Sequence, residues 1–261
     1  MIKQELDIIK QYIVDGVESL LPKDSLIRFL SGNSKMIRSK LGLLYTKCFD
    51  NFERNDIYVL LAVTELIHNA SLLHDDVIDN ALTRRGITTI GNEFSQNISI
   101  LSGDYLVAIA VNKLLHLHND KFSALFNNCV QNMAKAEIKQ YFFRGKVPSI
   151  AEYIEICEGK TASLFIAMLK SVAIVLNISI NDAEKLGNLF GIYFQIRNDL
   201  DKFSSQVDKK NGIYTVIDIL GVEKSSALLD NYKKEVLACL KELPENEYRY
   251  ELEGLVENYD R

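Results

Sequence analysis
Three aspartates fall within five positions, at Asp75, Asp76 and Asp79, in the stretch SLLHDDVIDNALTRRG, and two arginines, Arg84 and Arg85, follow directly. If the stretch is helical, Asp75 and Asp79 are four apart and share one face. Asp76 lies about 100° round the helix and supports them from the side. Two carboxylates on one face repel and raise each other's pKa unless a cation sits between them. A hard divalent ion removes that penalty. Mg²⁺ takes one or two carboxylates together with waters and substrate phosphates, and arginine grips phosphate oxygens in a two-pronged way. The pattern suits a metal–diphosphate site. On spacing alone, a solvated acidic helix end is an equally open reading.

A second acidic group closes another apolar stretch, GIYFQIRNDLDKF at residues 191–203. Asp199 and Asp201 offer carboxylate oxygens there and Asn198 a neutral carbonyl oxygen. Alone, NDLD also fits an ordinary helix terminus. Two acidic helices of this kind can clamp one metal–diphosphate unit between them.

The elements that must position these side chains are helices. Prolines are confined to Pro22, Pro148 and Pro244, so long stretches lack breakers. Apolar residues recur at three- and four-residue spacing in Leu6, Ile9, Tyr12, Ile13, Val17, Leu20 and Leu21, and again over 56–79, 99–118, 121–143, 150–176, 181–203 and 222–241. No stretch alternates and no hairpin signal stands out. The expectation is an all-α fold of about ten helices. LFIAMLKSVAIVL is apolar nearly all round, as in a helix at the middle of a bundle.

The chain has 261 residues, 48% of them hydrophobic, which suits a single domain over 1–261 with a sizeable core. A net charge of −5 excludes a global basic surface of the kind nucleic acid needs, so any anion site is local. No apolar run reaches membrane-spanning length. The acidic, amphipathic start lacks the pattern of a secretory signal. Cys48, Cys129, Cys157 and Cys239 form no CxxC pair and read as reduced and buried in a cytoplasmic protein.

LLHDDVID…RRG together with FQIRNDLDKF resembles the trans-polyprenyl diphosphate synthases, over roughly residues 30 to 215. The resemblance implies an isoprenoid synthase fold around a central cavity, about three Mg²⁺ ions, and a prenyltransferase of the long-chain, octaprenyl-like kind that joins isopentenyl diphosphate to farnesyl or geranylgeranyl diphosphate, with a quinone side chain as the product's use. It implies metal ligation by Asp75, Asp76, Asp79, Asn198, Asp199 and Asp201. GNSKMIRSK matches the family's isopentenyl diphosphate element through Lys35 and Arg38, whose three-residue spacing lets both face one anion. His68, which alone reads as a core histidine, matches a histidine that joins the same diphosphate. Arg85 is implied on isopentenyl diphosphate and Arg84 on the allylic diphosphate. In EGKTASLF, Lys160 is implied on the allylic diphosphate and Thr161 near the reacting carbon. That GKT lacks the upstream glycine and strand of a phosphate loop. Gln195 matches a family glutamine, and Glu137 and Gln140 in AEIKQ match less closely. The resemblance also implies a homodimer, with peripheral membrane association for product release.

Departures from the family are concentrated in the second motif. Asn198 replaces its first aspartate and Lys202 its last, with Asp201 one place early. Met36 replaces an arginine and Ser39 a proline. Ile213 replaces a downstream lysine, with Lys209 and Lys210 nearby. They keep two alternatives open: a catalytically weakened partner subunit of a heteromeric synthase, and a terpene cyclase, whose Asn-rich second motif Asn198 resembles. Ser71 and Ala70, one turn before Asp75, are small. In short-chain members bulky aromatics there close the tunnel, so a product longer than about fifteen carbons, on the order of forty, is expected.

Overall fold
The apolar spacing becomes helix almost throughout the computed structural model of the protein, which describes residues 2–17, 22–32, 34–50, 53–201 and 211–257. Among these residues the α-helices run α1 (Lys3–Val14), α2 (Lys23–Ser31), α3 (Ile37–Phe49), α4 (Asn55–Ile78), α5 (Ile90–Glu93), α6 (Gln96–His116), α7 (Asp120–Phe142), α8 (Ile150–Cys157), α9 (Ser163–Leu176), α10 (Ile180–Asp201), α11 (Val216–Leu220), α12 (Val222–Lys241) and α13 (Glu247–Glu257). A π-turn, Glu158–Ala162, joins α8 to α9 without a break in the rod. Leu20, Leu21, Lys202, Lys209 and Lys210 lie outside the described residues.

The chain forms two compact units, Met1–Leu43 with Phe52–Ser123, and Leu44–Asn51 with Ala124–Arg261. In the first, α1 and α6 pack on α4. Helix α4 is buried on nearly every side, which its all-round apolarity requires. Leu60, Leu61, Leu66 and Leu73 of α4 are wholly inside, with Ile9, Leu26, Leu41 and Leu106. Each such burial stabilises by about 1.5–3 kcal/mol relative to exposure. Arg28 of α2 pairs with Glu93 of α5 at 2.6 Å, and Ser25 Oγ donates to the same carboxylate at 2.7 Å.

A two-stranded hairpin interrupts the helices, pairing β1 (Thr83–Arg84) with β2 (Ile87–Thr88). Arg85 and Gly86 form its loop at φ +52° and +81°. Two successive positive φ values give the turn whose twist suits a two-residue hairpin. The all-α expectation passed over it because the strands are two residues long. Arg85-Gly86 makes the turn in place of the more usual Asn-Gly.

In the second unit α10 packs on α9 and α12. Gly187 and Gly191 sit one turn apart on the face of α10 that meets α9 and the π-turn. A Cβ on Gly191 would fall 2.3 Å from Ala162 Cα, and one on Gly187 2.8 Å from Ile166 Cα. The core here gathers Tyr153, Cys157, Ala162, Ile192, Ile196, Val216 and Ile217. Phe165 lies edge-on to Phe190 and Phe194, with centroids 5.1 and 5.7 Å away. Tyr193 Oη donates to Val256 O at 2.7 Å and ties α13 to α10.

Two expectations are corrected. Three helical segments, Asn55–Ile78, Gln96–His116 and Ile150–Leu176, are long and apolar enough to cross a membrane by length and composition, although each contains scattered polar residues that break an uninterrupted run. The windows in α4 and α8–α9 are mostly buried within the protein, whereas only 33% of that in α6 is. All four cysteines are free, but Cys239 is only half-buried.

Candidate active site
In the first unit the site is built on the end of α4. Asp79 caps that helix, and its N–H still donates to Asp75 O at 2.9 Å, so the two carboxylates keep their one-turn spacing. Both are half-buried. Asp76 points inward, 3% exposed, and Arg84 Nε reaches its Oδ1 at 2.6 Å. Burial raises the Asp76 pKa above its ordinary value against the opposing pull of Arg84, and Asp79 adds to the rise. The hairpin holds Arg84 beside this helix end and leaves Arg85 exposed at its tip.

His68 lies further back on α4. Burial, then the charges of Arg38, Arg85 and Arg84, hold its pKa well below the ordinary value, so it is neutral at pH 7. Arg38 is 9% exposed in the first turn of α3. Ser39 fastens that turn to α4, its N–H and Oγ donating to Glu65 Oε1 at 3.2 and 2.8 Å. Lys35 precedes α3 and is exposed. Helical spacing with Arg38 therefore does not apply to it. Met36 between them is buried, with φ at +46°.

In the second unit the π-turn carries Lys160 and Thr161. Its wider i→i+5 bonding shifts these two residues relative to the regular helices on either side, and such bulges concentrate at functional sites. Lys160 Nζ pairs with the Glu137 carboxylate and donates to Gln140 Oε1 at 2.9 Å. Thr161 Oγ1 donates to Gln195 Oε1 at 2.9 Å, and Gln195 Nε2 donates to Asp199 Oδ1 at 2.8 Å. Asp199 is 6% exposed and also accepts from Tyr153 Oη at 2.8 Å. Burial above all, with Cys157 and Asp199 beside it, pushes the Tyr153 phenol far up and keeps it protonated. Asn198 is half-buried, and Asp201 is exposed, 3.9 Å from Arg197 Nε.

This donor set fits a hard divalent ion that arrives with its own waters and phosphate oxygens. Among the described residues no three carboxylates, histidines or cysteines close on one point. Asp75 and Asp79 offer two carboxylates one turn apart, the number Mg²⁺ usually takes from protein. Asp76 Oδ2 is buried without a hydrogen-bond partner, an acceptor that the water shell of an ion can satisfy.

Residues 22–245 match the family model described as polyprenyl synthetase. The chain belongs to the polyprenyl synthetase family. It is 33% identical over 183 residues to the prenyl transferase of Cyanophora paradoxa, a match over 65% of this chain and 57% of that protein. It is 30% identical over 197 residues to the decaprenyl-diphosphate synthase of Dictyostelium discoideum, over 74% of this chain and 43% of that one. The chain thus spans about half the length of these curated relatives. The crystal structure of heptaprenyl diphosphate synthase from Staphylococcus aureus superposes with a TM-score of 0.93 at 21% identity, over 98% of this chain and 97% of that one. At that identity the likeness shows the fold, which is the isoprenoid synthase fold expected from the two motifs.

For a polyprenyl synthetase, the residues read from sequence fall into two groups. Asp75, Asp76, Asp79, Arg84, Arg85, His68 and Arg38 gather in the first unit, around the end of α4, the hairpin and the start of α3. Lys160, Thr161, Gln195 and Asp199 gather in the second, joined through Gln195 and the π-turn. Asp76 and Asp199, both read as metal ligands, face the interior and hold protein partners. Tyr153 was missed. Its phenol inside the apolar segment IAEYIEIC was the available signal, since a buried tyrosine hydroxyl needs a partner.

Proposed function
We propose that this polyprenyl synthetase is a trans-prenyltransferase that condenses isopentenyl diphosphate with farnesyl or geranylgeranyl diphosphate and releases a longer all-trans polyprenyl diphosphate, destined for a quinone side chain. The observation that carries the reading is the pair Asp75 and Asp79, half-buried and one turn apart beside two hairpin-borne guanidinium groups. The decaprenyl relative and the small residues Ala70 and Ser71 support a long product.

Asp75 and Asp79 are the residues of the first unit that hold Mg²⁺, and Asn198 and Asp201 those of the second. Bound at either set, the ion would supply Lewis-acid charge to a diphosphate. Arg84 in the first unit and Lys160 in the second would each bind phosphate oxygens of an allylic diphosphate and draw negative charge onto it as the C–O bond breaks. For Lys160, phosphate oxygens take the place of Glu137 and Gln140. Lys35, Arg38, His68 and Arg85 hold isopentenyl diphosphate, whose double bond attacks the allylic cation. Thr161 and Gln195 present oxygens to that cation without attacking it, and the departing diphosphate takes the proton. Apolar walls keep water from the cation.

Residues 1–261 act as one polyprenyl synthase domain, in a cytoplasmic homodimer that meets the membrane peripherally to release product. The exposed Leu101, Val111 and Leu115 of α6 support a face that another molecule covers. The test is purified protein with farnesyl diphosphate, labelled isopentenyl diphosphate and Mg²⁺, the dephosphorylated products being sized by thin-layer chromatography. Label in chains beyond about twenty carbons is the expected result. No incorporation of label, or a cyclic hydrocarbon from the allylic diphosphate alone, would overturn the proposal.

A further inference from the structure
Four side chains form one hydrogen-bonded row inside the second unit. Tyr153 Oη donates to Asp199 Oδ2, Gln195 Nε2 donates to Asp199 Oδ1, and Thr161 Oγ1 donates to Gln195 Oε1, at 2.8, 2.8 and 2.9 Å. The Val216 N–H also reaches Asp199 Oδ2, at 3.5 Å. An ionised carboxylate only accepts hydrogen bonds. Gln195 must therefore turn its NH₂ toward Asp199 and its carbonyl toward Thr161. Thr161 has one hydroxyl hydrogen, and Gln195 takes it. Beyond the row, Thr161 can offer lone pairs alone.

That polarity matters beside positive charge. A lone pair stabilises an allylic cation, and a hydroxyl hydrogen aimed at it does the reverse. We propose that Asp199 and Tyr153 are positioning residues that set the direction of the Thr161–Gln195 hydrogen bond, Asp199 through Gln195 and Tyr153 through Asp199. The proposal rests on the reading above that the reacting carbon passes Thr161. It assigns Asp199 to the protein interior, where it is 6% exposed, and leaves metal ligation in this motif to Asn198 and Asp201.

The same atoms permit the reverse direction. With asparagine at 199, its amide can face Gln195 either way, and Gln195 can rotate to donate to Thr161. Asp199→Asn should cut kcat about 100-fold, the scale for losing one preorganised electrostatic group. Its KM for both substrates and its half-saturating Mg²⁺ concentration should stay within about threefold, since no binding contact is removed. Adding Gln195→Glu exchanges carboxylate and amide, makes residue 195 an obligate acceptor, and should recover at least about tenfold of the lost kcat by restoring the direction of Thr161. Two kinetic outcomes would overturn the proposal. One is an Asp199→Asn enzyme rescued by excess Mg²⁺, the behaviour of a lost metal ligand. The other is a double variant no more active than the single one.

A readout independent of turnover is the side-chain ¹⁵N–¹H signal of Gln195 in the whole protein, assigned by its loss in Gln195→Glu. It should shift in Asp199→Asn at unchanged melting temperature, and a signal left in place would end the relay. If the native protein transfers no prenyl group, the functional reading fails, and this signal still decides the direction of the row.

Discussion
Arg84 Nε lies 2.6 Å from Asp76 Oδ1, which locks the hairpin to the last turn of α4. The Asp76 side chain is fully buried and that of Arg84 is 26% exposed, so the carboxylate depends on this partner more than the guanidinium does. Arg84→Gln should cost about 1–3 kcal/mol in urea unfolding at neutral pH, the penalty for leaving a buried acceptor unsatisfied. Because burial raises the Asp76 pKa in the folded protein, protonation favours the folded state, and the variant should regain stability as pH falls toward the unfolded carboxyl value. A double-mutant cycle with Asp76→Asn checks the pair. Coupling below about 0.5 kcal/mol would reduce it to a surface contact.

His68 has the opposite sign. Its folded pKa is lowered well below 6.5, so the unfolded chain binds this proton more readily. Stability from the neutral ring is present above about pH 6.5 and declines as pH falls below it. An arriving diphosphate places negative charge among Arg38, Arg84 and Arg85 and lifts the depression they cause. Burial, the larger cause, is untouched, so the ring stays neutral in the complex and binding takes up no proton at His68 near pH 7. His68→Gln should flatten the stability trend. Calorimetry in buffers of different ionisation heat counts the protons, and an uptake at pH 7 that His68→Gln abolishes would contradict the assignment.

Helix positions were the most legible part of the sequence. The 3.6-residue pattern placed α4, α6, α7, α10 and α12 within three residues at each end, because long amphipathic or all-apolar segments leave little choice of period. The hairpin was illegible, since its strands, Thr83–Arg84 and Ile87–Thr88, are too short for alternation to register. In the site, sequence gave residue types but not which way they face. Asp75 and Asp76 are neighbours, yet one is half-buried at the helix end and the other is sealed against Arg84. Asp199 and Asn198 divide in the same way. A one-residue step turns a helical side chain by about 100°, and only packing decides which of two adjacent acids turns inward. The π-turn has no sequence signal of its own: its last residue, Ala162, packs on Gly191, which is distant in the sequence, and the position of the turn should depend on that glycine.

Gly191→Ala tests that dependence. The new Cβ would meet Ala162 Cα at 2.3 Å and Ala162 N at 3.0 Å, and backbone cannot swing aside as a side chain does. Overpacking of this kind costs about 1–3 kcal/mol. Because Ala162 closes the turn that carries Lys160 and Thr161, kcat should drop by more than the stability loss alone would cause. Gly254→Ala, where a Cβ meets nothing within 4 Å, is the control and should leave both unchanged. Equal kcat in the two variants at a temperature where both are folded would show that the turn tolerates displacement.

Product length should respond to Ser71 rather than Ala70. The two are neighbours on α4, but Ala70 is 1% exposed and packed into the first unit, while Ser71 is half-buried with its Oγ donating to His68 O at 2.8 Å. A phenylalanine at 70 has no room and should destabilise by about 1–3 kcal/mol through overpacking. At 71 the ring can extend into the less crowded side, one turn before Asp75, where a growing tail leaves the diphosphate. Ser71→Phe should therefore fold normally, keep its initial rate with farnesyl diphosphate, and release products shortened by several isoprene units. Reversed-phase chromatography of the dephosphorylated alcohols measures this. If Ser71→Phe yields the native length distribution at native stability, the tail does not pass this position and the limit on chain growth lies elsewhere.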